Sequence, residues 1–166
     1  MKLSLIVVFL SVVSLDLFAQ DKYAGEYYNY FGSKLKLNSD LTFEQVWHFD
    51  LASNWTKGTW KVSKDTIYIN IKPVYDTLKL VKNGDSVADS LVLSLDDKAE
   101  SISAEEYAMS LITSGGQSIN SVPERLYYSR KRLMAIDENG KLKKKKVRGV
   151  LAKRKHVPWY IKRENK

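Results

Sequence analysis

The stretch 35–71 decides the fold, and its most regular pieces are LKLNSDLTF (35–43), GTWKV (58–62) and DTIYI (65–69). In each piece apolar residues alternate with polar ones, and Asn, Ser, Asp, Gly or Lys interrupt the alternation. A period of two places successive side chains on opposite faces of a strand, and the interrupting residues favour tight turns. The stretch therefore predicts short antiparallel strands joined by turns.

The same pattern extends along most of the chain and predicts a mainly β protein. The predicted strands are 21–31, 34–38, 42–49, 56–62, 66–71, 76–81, 90–95, 125–137 and 141–148, with turns at 39–40, 63–65 and 138–140 and loops at 50–54, 82–89 and 114–123. The turn at 138–140 contains Asn-Gly, a strong hairpin signal. Pro73 ends the predicted strand 66–71, because proline has no amide hydrogen to donate to a neighbouring strand. The expected core is one continuous face made of Phe43, Trp47, Trp60, Ile67, Ile69, Leu78, Leu80, Leu91 and Leu93.

One short helix interrupts the strands. Ser103 and Glu106 have the spacing of a capping box, in which each side chain bonds the backbone of the other residue. The helix is predicted near residues 104–113, with Tyr107, Leu111 and Ile112 on one stripe.

The first twenty residues predict a cleaved signal peptide. Lys2 precedes an apolar run of about 13 residues, and Ala19 fits the small position that signal peptidase requires. A membrane span needs ~20 apolar residues, so cleavage after Ala19 or Gln20 is expected rather than anchoring. The chain has no cysteine, which excludes both a lipid-modified cysteine and a disulfide framework. The expected product, residues 21–166, is one β-rich domain, exported and periplasmic or extracellular, and not a lipoprotein.

Positive charge is concentrated at the end of the chain. Residues 125–166 hold 16 Lys and Arg against 3 Asp and Glu, a net charge of +13, whereas residues 21–124 have a net charge of −5. Such asymmetry is typical of a segment that contacts a polyanion. Residues 141–148 are expected to form an edge strand protected by lysine, and the chain after it is expected to dock its last apolar residues on the body.

Part of the chain resembles a known type of protein. The pieces GEY (25–27), LKLNSDLTF (35–43), GTW (58–60) and DTI (65–67) are similar to small secreted bacterial proteins of the lipocalin-like type. The resemblance covers residues 23–71 and implies an up-and-down β-barrel or half-barrel, with room for an internal cavity. The lipocalin Gly-x-Trp stands on the first strand, whereas here it falls on a later one, so no site residue is transferred.

Two sets of residues are candidates for binding. The aromatic candidates, which would stack on a sugar or pack on an acyl chain, are Trp47, Trp55 and Trp60; the alternative is that they form core and rim. The candidates for an anionic surface are Lys143, Lys144, Lys145, Lys146, Arg148, Lys153, Arg154 and Lys155; the alternative is a solvated edge strand and tail.

Catalysis has little support in the sequence. His48 and His156 lack ligand spacing, and no nucleophile, phosphate-loop or metal motif is present, so no cofactor or metal is predicted. The sequence favours an exported binding or interaction module of the cell envelope. Its partner would be an anionic envelope polymer, a glycan or a small apolar ligand, with nucleic acid disfavoured by export. The alternative is an exported hydrolase whose site is not readable from the sequence.

Overall fold

The computed structural model describes residues 20–82, 85–112, 115–149 and 152–163, so the predicted signal peptide, apart from Gln20, lies outside the described residues. Helix α1 spans Ala104–Ile112. The strands, in chain order, are β1 (Gly25–Tyr28), β2 (Ser33–Leu37), β3 (Thr42–Phe49), β4 (Ala52–Ser63), β5 (Thr66–Ile71), β6 (Tyr75–Lys82), β7 (Asp85–Leu93), β8 (Ser101–Ser103), β9 (Arg125–Ser129), β10 (Arg132–Ala135), β11 (Val147–Arg148), β12 (Lys155–His156) and β13 (Tyr160–Lys162).

Eight of these strands close into a barrel in the order β1-β13-β10-β9-β5-β4-β3-β2. Every neighbouring pair in the barrel is antiparallel. Each barrel strand lies beside the barrel strands that precede and follow it in the chain, and the first and last pair to close the ring. This confirms the predicted antiparallel β-barrel with one short helix, and the closed form of it rather than the half-barrel.

The alternation at 35–43 has the predicted effect. Leu35 and Leu37 of β2 are buried, and Leu37 lies opposite the buried Phe43 of β3. The turn between them is fixed by Asp40, whose Oδ1 accepts hydrogen bonds from the Thr42 N–H (2.9 Å) and hydroxyl (2.6 Å). A carboxylate that bonds the backbone two residues on is typical of a turn.

Side chains occupy the interior of the barrel. The buried cluster consists of Tyr23, Tyr27, Leu35, Leu37, Phe43, Trp60, Ile67, Ile69, Val122, Leu126, Leu133 and Tyr160. An eight-stranded barrel is just wide enough for its inward side chains to fill it. The interior between these residues is therefore a packed core.

The predicted core is only partly correct. Phe43, Trp60, Ile67 and Ile69 belong to the barrel cluster, while Trp47 is half-buried at one end of the barrel. Leu78 is buried outside this cluster, in a second sheet of order β7-β6-β8. The prediction is wrong for Leu80, Leu91 and Leu93, which are 39%, 69% and 37% exposed.

These exposed leucines belong to an insertion, β6 to α1, which separates the barrel strands β5 and β9. Its strands β6 and β8 run parallel, and β7 pairs with β6 on the other side. The capping box is confirmed: Glu106 Oε2 accepts from the Ser103 N–H at 2.8 Å, and Ser103 Oγ accepts from the Glu106 N–H at 3.2 Å. The helix has no buried residue: of the predicted stripe, Tyr107 is half-buried, whereas Leu111 and Ile112 are exposed.

Several predicted boundaries are wrong, either because polar residues lie in strands or because a turn divides a predicted strand. The predicted loop 50–54 is a short turn, since β4 begins at Ala52, and most of the predicted loop 82–89 belongs to β7. The predicted strand 125–137 is a hairpin, β9 and β10, that turns at Arg130 and Lys131.

The C-terminal part of the chain completes the barrel. The predicted docking of this region is confirmed, because β13 pairs with both β1 and β10, and its Tyr160 is buried. The predicted return strand 141–148 is reduced to an isolated bridge between Ile136 and Leu142 and to the two residues of β11. Among the described residues, no helix has the length and apolar character needed to cross a membrane.

Candidate functional site

A basic excursion, residues 136–159, leaves the barrel after β10 and returns at β13. Its described residues include all eight cations predicted to bind an anionic surface, and every one of them is exposed: Lys143, Lys144, Lys145, Lys146, Arg148, Lys153, Arg154 and Lys155. Among the described residues, the three ion pairs are Lys22–Asp65, Lys34–Glu26 and Lys57–Asp97. None of the eight is paired there, so their charges are available to a partner.

The small sheet β11-β12 brings like charges together. Arg148 lies directly opposite Lys155 in the antiparallel register, and Val147 lies opposite His156. Like charges at opposed positions of two strands destabilise the pairing. The sheet thus concentrates positive charge that nearby described carboxylates do not neutralise.

Aromatic contacts hold the basic excursion against the barrel. The rings of His156 and Tyr30 are stacked, with centroids 3.3 Å apart and planes at 5°. Gly149 lies against the ring of Phe31, where an added Cβ would be 3.6 Å from the ring. The segment between β1 and β2 therefore positions the basic excursion.

The three tryptophans predicted to bind ligand lie in three different places. Trp60 is in the barrel core, and its indole N–H donates to the carbonyl of Asn38 at 3.0 Å. Trp55 is on the outer face of β4, where its indole N–H donates to the carbonyl of Leu95 at 2.8 Å and joins barrel to insertion. Trp47 is at the opposite end of the barrel from Trp60, so the three do not form one surface.

Trp47 lines a mouth pocket of about 270 Å³ at the end of the barrel near the β3–β4 turn. The other lining residues are Ser33, Gln45, Asn54, Ser118, Asn120 and Ser121. The register explains this grouping, because Trp47 lies opposite both Ser33 of β2 and Asn54 of β4, on one face of the sheet. The segment 118–121 covers the pocket from the side.

A chain of hydroxyls forms the inner wall of the mouth pocket. Gln45, which is fully buried, lies opposite Thr56, also buried. The Ser121 hydroxyl donates to Gln45 Oε1 at 2.8 Å and contacts the Thr56 hydroxyl, which in turn donates to the carbonyl of Ser118. These bonds attach the loop 118–121 to β3 and β4.

Two buried polar atoms of residues that line this pocket lack a partner. They are Gln45 Nε2 and Asn54 Oδ1, and no other buried side-chain nitrogen or oxygen of the described residues is unpartnered. A buried polar group without a hydrogen bond costs about 1–3 kcal/mol. Both such atoms in the described structure therefore occur at one place.

Sequence reasoning missed Gln45 and Asn54. Gln45 lies midway between Phe43 and Trp47, so the period of two already placed its amide on the inward face. Asn54 fell in a predicted loop because its neighbours are polar, whereas it is the third residue of β4. A polar residue at an inward position was the available signal for Gln45.

Neither histidine forms the centre of a catalytic cleft among the described residues. His48 is exposed on β3, and His156 contacts Tyr30 rather than a carboxylate. Among the residues that the structure covers, no group of three or more His, Cys, Asp or Glu could hold a metal ion.

Comparison with known proteins does not indicate a function, so a function is proposed from the geometry of the basic excursion and the mouth pocket. No protein-family model, no curated protein and no solved structure matches this chain.

Proposed function

We propose that the protein is an exported binding module whose basic excursion attaches it to an anionic polymer of the cell envelope. The observation that carries the proposal is the set of eight exposed cations, unpaired among the described residues, on one segment held against the barrel. Export rests on the signal-like residues 1–20.

The opposed pair Arg148 and Lys155 supports a polyanion rather than a single small anion. Their repulsion opposes the pairing of β11 with β12. The four consecutive cations Lys143 to Lys146 lie just before β11, outside any strand, and all four are exposed, so they form a second positive site next to the opposed pair. A flexible linear polyanion can neutralise both sites at once, whereas one small anion cannot.

A polymer also fits better than a lipid surface. A membrane-binding segment combines cations with large apolar side chains that enter the acyl region. Among the described residues between Lys143 and Lys155, the large hydrophobic side chain that is exposed is Val147, at 47%, while Val150 and Leu151 lie outside the described residues. The attraction is therefore expected to be electrostatic. A small apolar ligand is not favoured, because side chains pack the barrel interior.

The test is binding of the purified protein to heparin, used as a model anionic polysaccharide, to anionic vesicles and to neutral vesicles, across a salt series. Binding to heparin should weaken steeply with salt, because the Debye length falls from ~10 Å at 0.1 M to ~3 Å at 1 M. Stronger binding to anionic vesicles than to heparin would assign the excursion to membranes instead. Binding that is indifferent to salt would contradict the proposal.

Matched variants separate the excursion from net charge. Replacing Lys143, Lys144, Lys145 and Lys146 with Gln should weaken heparin binding and leave thermal unfolding unchanged. The control replaces four exposed lysines of the body, Lys36, Lys64, Lys72 and Lys98, with Gln. The two variants carry the same net charge, so equal losses of binding would show that the excursion has no special role.

A further inference from the structure

We propose that the mouth pocket binds a small, neutral, polyhydroxylated ligand: a monosaccharide or the terminal sugar of a glycan. This inference does not depend on the basic excursion, none of whose residues lines the pocket.

The pocket is part of the barrel and not a chance gap between loops. Its wall is the inward face of three adjacent strands, where Ser33, Trp47 and Asn54 lie side by side. Gln45 forms the next inward position of β3, toward the core. The register fixes the positions of these residues, so the pocket needs no loop movement to form. It is open to solvent and its volume of about 270 Å³ is below the roughly 300–1,000 Å³ of sites for drug-sized ligands, which limits the ligand to a single small unit.

The lining is polar and uncharged. It consists of three side-chain amides, three serine hydroxyls and one indole, with no acidic or basic side chain. An ionic ligand would lose its hydration there without gaining a charge of opposite sign. An apolar ligand would leave the amides without partners, so a neutral ligand rich in hydroxyls fits the lining best.

The unpartnered amides give this preference a specific form. Gln45 Nε2 is a donor without an acceptor, and Asn54 Oδ1 is an acceptor without a donor. Whichever way the Gln45 amide is turned, one of its polar atoms meets Ser121 and the other has no partner. Both atoms are buried, so each reaches a ligand in the pocket by a rotation of its amide. A hydroxyl group both donates and accepts, so a ligand with several hydroxyls satisfies these atoms in either orientation.

Trp47 supplies the remaining element of a sugar site. Its indole N–H donates to the carbonyl of Phe31 at 2.8 Å, which fixes the plane of the ring at the edge of the pocket. Its ring is also stacked with that of Phe49 at a centroid distance of 6.3 Å. The negative face of an aromatic ring attracts the weakly positive C–H face of a pyranose.

The experiment uses glucose, galactose, mannose and N-acetylglucosamine as probes, followed by NMR on the indole N–H of Trp47 and the side-chain amide of Gln45. At least one sugar should shift both signals and saturate, while sodium phosphate and hexanoate at the same concentrations should not. Comparing the best sugar with an oligosaccharide that ends in it distinguishes a free sugar from a glycan terminus. If no sugar shifts these signals, the pocket holds only water and the proposal is overturned.

Two variants and a control connect the binding to the pocket. Gln45→Met keeps the length of the side chain but removes both the unpartnered nitrogen and the acceptor of the Ser121 hydroxyl. It should weaken sugar binding about tenfold, and a thermal unfolding curve measured beside it reports the cost of the lost Ser121 bond. Asn54→Leu serves the same purpose on a half-buried residue, should Gln45→Met fail to fold. The control is Gln117→Met, because the Gln117 amide lies outside the pocket and bonds the backbone of Val74 at 3.0 Å. Binding that survives both pocket variants, or that is lost equally in the control, would overturn the assignment.

Discussion

Asp65 joins the start of the described chain to the turn between β4 and β5. Its Oδ1 accepts a hydrogen bond from Lys22 Nζ and another from the Tyr23 hydroxyl, both at 2.8 Å. The bonds from Lys22 and then Tyr23 hold the pKa of the Asp65 carboxyl below its usual value. Asp65 also has a φ of +62°, which Asp and Asn tolerate better than most residues.

The first prediction is that Asp65→Asn makes the protein less sensitive to acid. A carboxyl whose pKa is lower in the folded than in the unfolded chain stabilises the fold above its unfolded value of about 4. That stabilisation is lost as the pH falls through the folded value. Wild type should therefore be the more stable protein near neutral pH. The difference should begin to shrink near about pH 4 and disappear only as the pH falls through the lower folded value. Because the ion pair is largely exposed, the difference should also shrink with salt.

Urea midpoints of both proteins between acid and neutral pH measure this difference. The matched control is Asp50→Asn, since Asp50 also has a positive φ, of +54°, and forms no ion pair among the described residues. A gap between wild type and Asp65→Asn that stays constant down to the most acidic pH would contradict the role of the carboxylate.

At this scale, alternation predicted the burial of Phe43 and Trp60 but gave no role to Gln45. The period of two predicts whether a side chain points into or out of the barrel, and its hydrophobicity indicates whether it favours the interior or the solvent. The two agree for Phe43 and Trp60. They disagree for Gln45, and such disagreements are expected at functional positions. The partners of Gln45, Ser121 and Thr56, are 76 and 11 residues away in sequence, so the pocket could not be assembled from local patterns.

The hairpin β9–β10 turns on two residues that are unfavourable for it. Ser129 pairs with Arg132, and the residues between them, Arg130 and Lys131, have φ values of +49° and +62°. Positive φ at both central positions is the pattern of a type I′ turn, which favours Asn-Gly. Because Arg and Lys are not typical turn residues, the sequence did not predict this turn, and 125–137 was expected to be one strand.

The second prediction is that Arg130→Asn stabilises the protein by about 1 kcal/mol. A left-handed conformation costs an ordinary residue roughly 1–2 kcal/mol, and Asn adopts it at a lower cost. The control Arg130→Gln removes the same charge without favouring positive φ, and it should leave the stability near that of wild type. Urea unfolding of the three proteins decides the matter, and equal stabilisation by Asn and Gln would attribute the effect to charge.

Patterns within an element did not reveal which sheet the element joins. The leucines of β6 (Leu78 and Leu80) are two residues apart, like the isoleucines of β5, yet β6 pairs with β7 and β8 instead of entering the barrel. The difference arises from tertiary pairing, because Ile67 of β5 pairs with Leu126 of β9 across the insertion. Short-range alternation contains no information about a partner so distant in the chain.

In the whole molecule, burial is divided unequally between the two sheets. The barrel holds the cluster of twelve buried apolar residues, whereas Leu78 is the buried apolar side chain that the structure shows in the insertion. The surfaces of the insertion include Leu91, Met109 and Leu111, which are 69%, 63% and 69% exposed. The polar contacts between the two parts include the Trp55–Leu95 bond and the exposed ion pair Lys57–Asp97, 3.6 Å long.

The third prediction is that the insertion opens before the barrel unfolds. Elements with few buried apolar contacts open at lower free energy than the core, so amides of β6 and β8 should exchange with solvent faster than those of β4 and β5. Hydrogen exchange followed by mass spectrometry, at low and rising urea, measures the two opening free energies. Leu78→Ala should speed exchange in the insertion and leave the barrel unchanged, whereas Leu133→Ala, which removes a fully buried barrel side chain, should destabilise the barrel by about 2–5 kcal/mol. Identical opening free energies for both sheets would contradict this prediction. They would mean that the insertion and the barrel unfold as one cooperative unit.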